Sequence, residues 1–212
     1  INEKAGDAGN GSVKYYTNNR ITEEMAGDIR LMAPLNGTLS TSTDANTTIA
    51  NADASVKLNP LTTSGTEGQP AYATGVRGTG LTFDGVNDYV CTGTTGTCAD
   101  DTDLDITGSF TLGAWVKPNA NSVTMPIISK LAEGAGGNGG YTIARVDDNK
   151  FYVRINDSSV AGTTTTATGT WYFVVGVYDS NSGLGRIYVN GVQENSGALS
   201  GLSDNSTPLS VG

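Results

Sequence analysis

The chain has 212 residues and a formal net charge of −9, from 21 acidic and 12 basic side chains, with no histidine. An anionic surface repels phosphate backbones, which sets nucleic acid aside as a partner. The missing imidazole removes the usual catalytic triads and His-ligated metal sites. No apolar run approaches the roughly 18 residues of a membrane span, and 29 glycines among abundant Thr, Ser, Asn and Asp favour turns and strands over helices.

In chain order, the polar residues after Ile1 lack a signal-peptide pattern, so the chain reads as mature or as part of something longer. One short helix is expected within residues 21–32, with Thr22 as cap, Glu23 and Glu24 in the first turn and Gly27 limiting its length. Residues 36–80 read as long loops with one or two edge strands. Short strands follow at 81–83 and 88–91. Cys91 and Cys98 enclose six residues with two glycines. That spacing fits a hairpin disulfide of an oxidising compartment, or two thiols of a reducing one. The acidic run Asp100, Asp101, Asp103 and Asp105 lacks EF-hand spacing and reads as a solvated loop.

SFTLGAWVK (109–117) alternates, with Phe110, Leu112, Ala114 and Val116 on one face and Thr111, Gly113, Trp115 and Lys117 on the other. Strands are expected at 126–130, 141–146 and 151–156, with a flexible loop at 132–140 and a turn at 147–150. WYFVVGVYD (171–179) is apolar almost throughout, as in a strand covered on both faces. In RIYVNGVQE (186–194), Asn190-Gly191 is the residue pair of a two-residue hairpin turn.

LTFDGVNDYV (81–90) resembles the opening strands of the laminin G-like jelly-roll family. SFTLGAWVKP, PIISK, GYTIA, TWYFVVGVYDSNSG, RIYVNGV and PLSVG resemble its successive strands in order, so the resemblance covers about residues 75–212. It implies an all-β fold, a two-sheet antiparallel sandwich of the concanavalin A-like kind, filling residues 28–212 after an N-terminal segment of residues 1–27. Such domains close with a strand of the form IDEVRIYNRAL and a short acidic helix, whereas this chain stops at Leu209-Ser210-Val211-Gly212. GSVKYYTNNRITEEM (11–25) resembles that ending, with Gly11 and Ser12 in place of two acids. Val13, Lys14, Tyr15, Tyr16 and Thr17 are therefore expected to lie beside residues 207–211, as the closing strand of their own domain or of a neighbouring copy, because an unfilled sheet edge exposes unpaired backbone groups.

The chemistry of the residues points away from catalysis. Glu3, Glu23, Glu24, Glu67, Glu133 and Glu194 stand in no strand with acids at alternating positions, the pattern of related β-glucanases. Trp115 and Trp171 are expected as core filler or sheet cover rather than sugar platforms. Asp84 and Asp88, with Asp44 from the long loop, are the candidate ligands of a calcium ion, which takes hard oxygens from such rims. Five Asn-x-Ser/Thr sequons, at Asn10, Asn36, Asn46, Asn156 and Asn205, read as compositional accidents. The expectation is an extracellular or cell-surface, non-catalytic structural or adhesive module, a filament domain or one unit of a tandem array, that meets neighbouring copies through an edge strand. The alternative is a calcium-dependent carbohydrate-binding module whose partner is a surface glycan or protein.

Overall fold

The computed structural model of the protein describes residues 61–63, 69–94, 97–132 and 139–212. The helix expected within 21–32, the segment Val13–Thr17, Asp44 and the boundary at residues 27 and 28 lie outside these residues. In chain order the strands are β1 (Leu61–Thr63), β2 (Ala71–Thr74), β3 (Thr79–Thr82), β4 (Val90–Thr94), β5 (Thr97–Cys98), β6 (Phe110–Val116) and β7 (Met125–Ala132). They continue as β8 (Gly139–Arg145), β9 (Phe151–Ile155), β10 (Ser158–Ala161), β11 (Tyr172–Asp179), β12 (Leu184–Val189), β13 (Val192–Ala198) and β14 (Ser210–Val211). One turn of 3-10 helix stands at Thr102–Leu104.

The larger sheet runs β1-β4-β14-β7-β8-β9-β10, with β5 folded back on β4; the smaller runs β13-β12-β11-β6, and β2 and β3 form a separate hairpin. Every pairing is antiparallel, as the short connections require. The sheets stack with β9 against β11 and β12, β10 against β12 and β13, and β7 against β6. Between them lies one core that includes Ile143, Val153, Ile155, Val174, Ile187 and Phe151, each almost fully buried. Gly176 lets the sheets approach, since a Cβ there would stand 2.6 Å from Ile143 Cγ2 and 2.9 Å from Val153 Cγ2. The expected hairpin forms at Asn190-Gly191, whose φ angles of 51° and 84° are those the turn demands.

Two expectations need correction, and one strand is added. β11 is not covered on both faces: Tyr172, Val174, Gly176 and Tyr178 are buried, but Phe173, Val175 and Val177 are half-buried. The strand closed on both faces is β8. Its outward Thr142 and Ala144 are small and paired with Arg154 and Tyr152, whose longer side chains shield them. Nor is there a vacancy beside residues 207–211, because β14 pairs β4 on one side and β7 on the other. β10 was not anticipated; it returns on β9 through Asn156-Asp157, where Asn156 takes φ 47°.

Candidate functional site

Burial of inward side chains in the smaller sheet leaves its other face open, and that face is aromatic. Odd-numbered residues of β6 and β11 and even-numbered residues of β12 point outward. Register sets Trp115 beside Phe173, Gly113 beside Val175 and Thr111 beside Val177. It then sets Val175 beside Tyr188 and Val177 beside Arg186. Trp115 is 52% exposed. Its ring lies 5.3 Å from that of Phe173, tilted by 36°. One step along, the Lys117 ammonium stands 5.2 Å from the centre of the Trp171 ring. Tyr188 Oη donates to Gln193 Oε1 at 2.9 Å, fixing the phenol at the far side.

Of the two readings of Trp115, core filler and sheet cover, the first is corrected and the second holds: it stands on the outer side of β6, opposite Phe110, Leu112, Ala114 and Val116, with its ring beside Phe173. The alternation was plain in the sequence, but which face was core was not, because both carry apolar residues. A band in which the exposed Trp115 adjoins half-buried Phe173, Val175 and Tyr188, bordered by Lys117, Arg186 and Gln193, has the composition of a recognition surface.

The carboxylates serve other tasks. Asp84 and Asp88 share one turn: the Val86 and Asn87 N–H groups donate to Asp84 Oδ1 at 2.8 and 3.3 Å, and the Asp84 N–H donates to Asp88 Oδ2 at 2.8 Å. The Val86 amide is the main reason the Asp84 carboxyl is held below its ordinary value. Calcium takes about six to eight oxygens. Each of these two carboxylates has one oxygen engaged, and among the described residues no three His, Cys, Asp or Glu side chains come together. The turn alone therefore supplies part of a shell. Asp179, at the end of the aromatic face, is tied into its own turn by Ser182 Oγ at 2.7 Å and the Asn181 N–H at 3.0 Å.

The acidic run after the cysteines is not a solvated loop. Asp100 and Asp105 reach the ammonium of Lys130, itself 1% exposed, at 2.6 and 2.9 Å. The carbonyls of Asn205 and Thr207 complete its shell at 2.9 and 2.8 Å. Burial acts to depress this lysine, but the hydrogen bonds to Asp100 and Asp105 outweigh it and hold its pKa above the ordinary value. Asp101 accepts from the Asp103 N–H at 3.0 Å and caps the 3-10 turn. Cys91 and Cys98 are joined as a disulfide with Cα atoms 5.5 Å apart.

Two sequons are engaged in the fold. The Asn156 amide donates to Gly201 O at 2.6 Å and accepts from Gly140 N at 3.1 Å. That of Asn205 donates to Gly139 O at 2.8 Å and accepts from Thr207 N at 2.8 Å. A glycan on either nitrogen would take the place of one of its two N–H donors.

Residues 84–212 match a family model described as the concanavalin A-like lectin/glucanases superfamily. Among solved structures, Domain 4 of AbnA, a GH43 extracellular arabinanase of Geobacillus stearothermophilus solved with arabinotriose, superposes with a TM-score of 0.54 at 19% identity, over 79% of this chain and 82% of that one. The carbohydrate-binding module CBM66 of Bacillus subtilis gives 0.40 at 14% identity, over 71% and 86%. A putative carbohydrate-binding protein of Bacteroides ovatus gives 0.40 at 21% identity over 50% of this chain, and the match spans 31% of that protein's length. No curated protein matches the chain.

Proposed function

Because the chain belongs to the laminin G family of the concanavalin A-like lectin/glucanase superfamily, we propose that it is an extracellular, non-catalytic module that binds a glycan on the outer face of its smaller sheet. The observation that carries this is the half-exposed Trp115 ring beside Phe173, in register with Val175 and Tyr188. The C–H face of a sugar ring is apolar and rests on such rings, while Lys117, Arg186 and Gln193 offer donors and an acceptor to its hydroxyls. Domain 4 of the arabinanase, of related fold, holds arabinotriose, which supports a saccharide as the ligand class. The disulfide supports an oxidising, extracellular setting. Glycosidic hydrolysis by paired carboxylates needs two of them flanking one bond. Asp179 is held by its own turn and Glu194 by the Thr163 and Thr164 amides.

The test is titration calorimetry against a panel of soluble oligosaccharides, arabinotriose among them. Trp115→Ala is expected to weaken binding about tenfold or more while leaving the unfolding midpoint nearly unchanged, as for an aromatic anchor. Wild-type affinity for any of the panel that survives Trp115→Ala and Phe173→Ala together would overturn the assignment. We give calcium no part in this face, so chelation with EDTA leaves binding intact. Loss of binding on chelation would instead assign an ion to Asp84 and Asp88 with Asp44. A second reading, a structural unit that joins copies of itself, is favoured by one observation: among the described residues nothing pairs with the outer edge of β6. Its signature is self-association at micromolar concentration.

A further inference from the structure

Inward side chains of the smaller sheet should be equally buried if that sheet were complete. In β12, Gly185, Ile187 and Val189 are buried, and in β11 so are Tyr172, Val174, Gly176 and Tyr178. In β6 only Phe110 is buried, while Leu112, Ala114 and Val116 are half-buried. The interior is thus open along β6. A groove of about 980 Å³ runs there, lined by Leu104, Ile106, Phe110 and Leu112 on the β6 side and by Ile128 and Leu209 from the larger sheet. Its floor explains its position. β6 lies over β7, and the larger sheet continues past β7 through β14, β4 and β1. A strand added beside β6 would lie over β14, closing the sandwich.

We infer that the outer edge of β6 is a strand-acceptor site and that its occupant is the segment Val13–Thr17 of the same chain. Every second residue of an edge strand turns its N–H and C=O outward, so β6 offers a row of backbone partners as well as an apolar wall. The segment reads V-K-Y-Y-T: in a strand, Val13, Tyr15 and Thr17 share the face that would enter the groove, and Lys14 and Tyr16 the other. Lys14 would bring a positive charge to a rim that carries Asp103 and Asp179. The same chain is the source for a topological reason. It enters the described structure at β1, on the flank of the larger sheet that extends past β6. The 43 residues 18–60 reach at most roughly 140 Å when fully extended, whereas a strand beside β6 stands two to three strand spacings of about 5 Å from β1, one sheet spacing of about 10 Å above it. A segment tethered within reach of the edge meets it as an intramolecular partner, which favours it over a second copy at micromolar concentration.

The experiment is hydrogen exchange on the full chain, with molar mass measured by sedimentation on the same samples. The expected result is a monomer in which those β6 amides within Thr111–Val116 that turn away from β11 exchange slowly. Tyr15→Asp, which sends a charge into the groove, should speed them about tenfold or more while leaving β12 amides protected. Tyr16→Asp, on the opposite face of the segment, should leave β6 protected. Should Tyr15→Asp unfold the whole chain, Val13→Ala must still speed β6 exchange more than β12 exchange. Fast β6 exchange in the wild-type monomer, or equal exchange in Tyr15→Asp and wild type, overturns the site. Protection that vanishes on dilution together with a loss of mass overturns the same-chain occupant in favour of a second copy. Glycan binding through Trp115 is read separately, so its failure leaves this result standing and the reverse also holds.

Discussion

The two outer strands of the smaller sheet treat their edges in opposite ways. β13 is polar, with Gln193, Glu194, Asn195 and Ser196 in sequence, and its pairing with β12 shifts between Ile187 and Tyr188. It is sewn to its surroundings: Glu194 Oε2 accepts from the Thr163 and Thr164 N–H groups at 2.8 and 3.1 Å, and Asn195 Nδ2 donates to Ala161 O at 2.9 Å. β6 has neither device. It alternates apolar residues inward, carries Trp115 outward and borders an apolar groove. A strand meant to end a sheet carries polar groups, a shifted register and hydrogen bonds back to its own loops; a strand meant to be paired keeps its alternation to the edge. The open flank is nevertheless firmly anchored from below, where Lys130 ties the 100–105 turn to residues 205–207.

That anchor gives the largest expected effect. Lys130→Ala leaves Asp100 and Asp105 without their cation and should cost about 3–5 kcal/mol in denaturant unfolding, the usual cost of breaking a buried pair. A loss below about 1 kcal/mol would mean that water replaces the ammonium and that the flank is looser than its burial indicates. Next come the inward residues on the two sides of the sheet. Ile187→Ala, in the sealed half, should cost about 2–5 kcal/mol. Leu112→Ala should approach that figure in the full chain but fall to about 1 kcal/mol in a Tyr15→Asp background, where the covering strand is gone. Equal costs in the two backgrounds would leave β6 a true terminus.

The sequence revealed the strands better than their faces. Asn190-Gly191 was decisive because few residue pairs accept two positive φ values, and the seven-residue alternation of β6 was visible at once. Which side of β6 and β11 faced the core was hidden, since Trp115, Phe173 and Val175 are as apolar as Val174 and Ile187; a binding surface and a core look alike in composition. Lys130 and Arg145 were invisible for a different reason. A charge in a strand reads as surface, and only tertiary partners make burial tolerable. For Arg145 these are Thr166 Oγ1 at 2.6 Å, Ala120 O at 2.8 Å, Asn121 Oδ1 at 2.9 Å and Asn149 Oδ1 at 2.6 Å. Three of those four are more than twenty residues away in sequence. The four-aspartate run opposite Lys130 was the one available hint. The placement of β14 between β4 and β7 was likewise beyond pattern reading, because a two-residue strand has no period.

The smallest effect belongs to the sealed edge and carries a pH signature. Burial acts to raise the Glu194 carboxyl, but the Thr164 hydroxyl and the Thr163 and Thr164 amides outweigh it, so its folded-state pKa lies below the ordinary 4.5. A depressed carboxyl pKa contributes stability that is complete above the unfolded value and is lost as pH falls through the folded one. Glu194→Gln keeps the shape and an acceptor oxygen but not the charge, so at neutral pH it should cost about 1 kcal/mol. Stability curves of wild type and Glu194→Gln, measured from pH 7 downward, should run parallel to about pH 5 and converge below the ordinary carboxylate pKa. Curves that stay parallel to the lowest pH would show that Glu194 holds the 163–164 loop by geometry alone, and the contrast between a charged, closed edge and an apolar, receptive one would rest on β6 only.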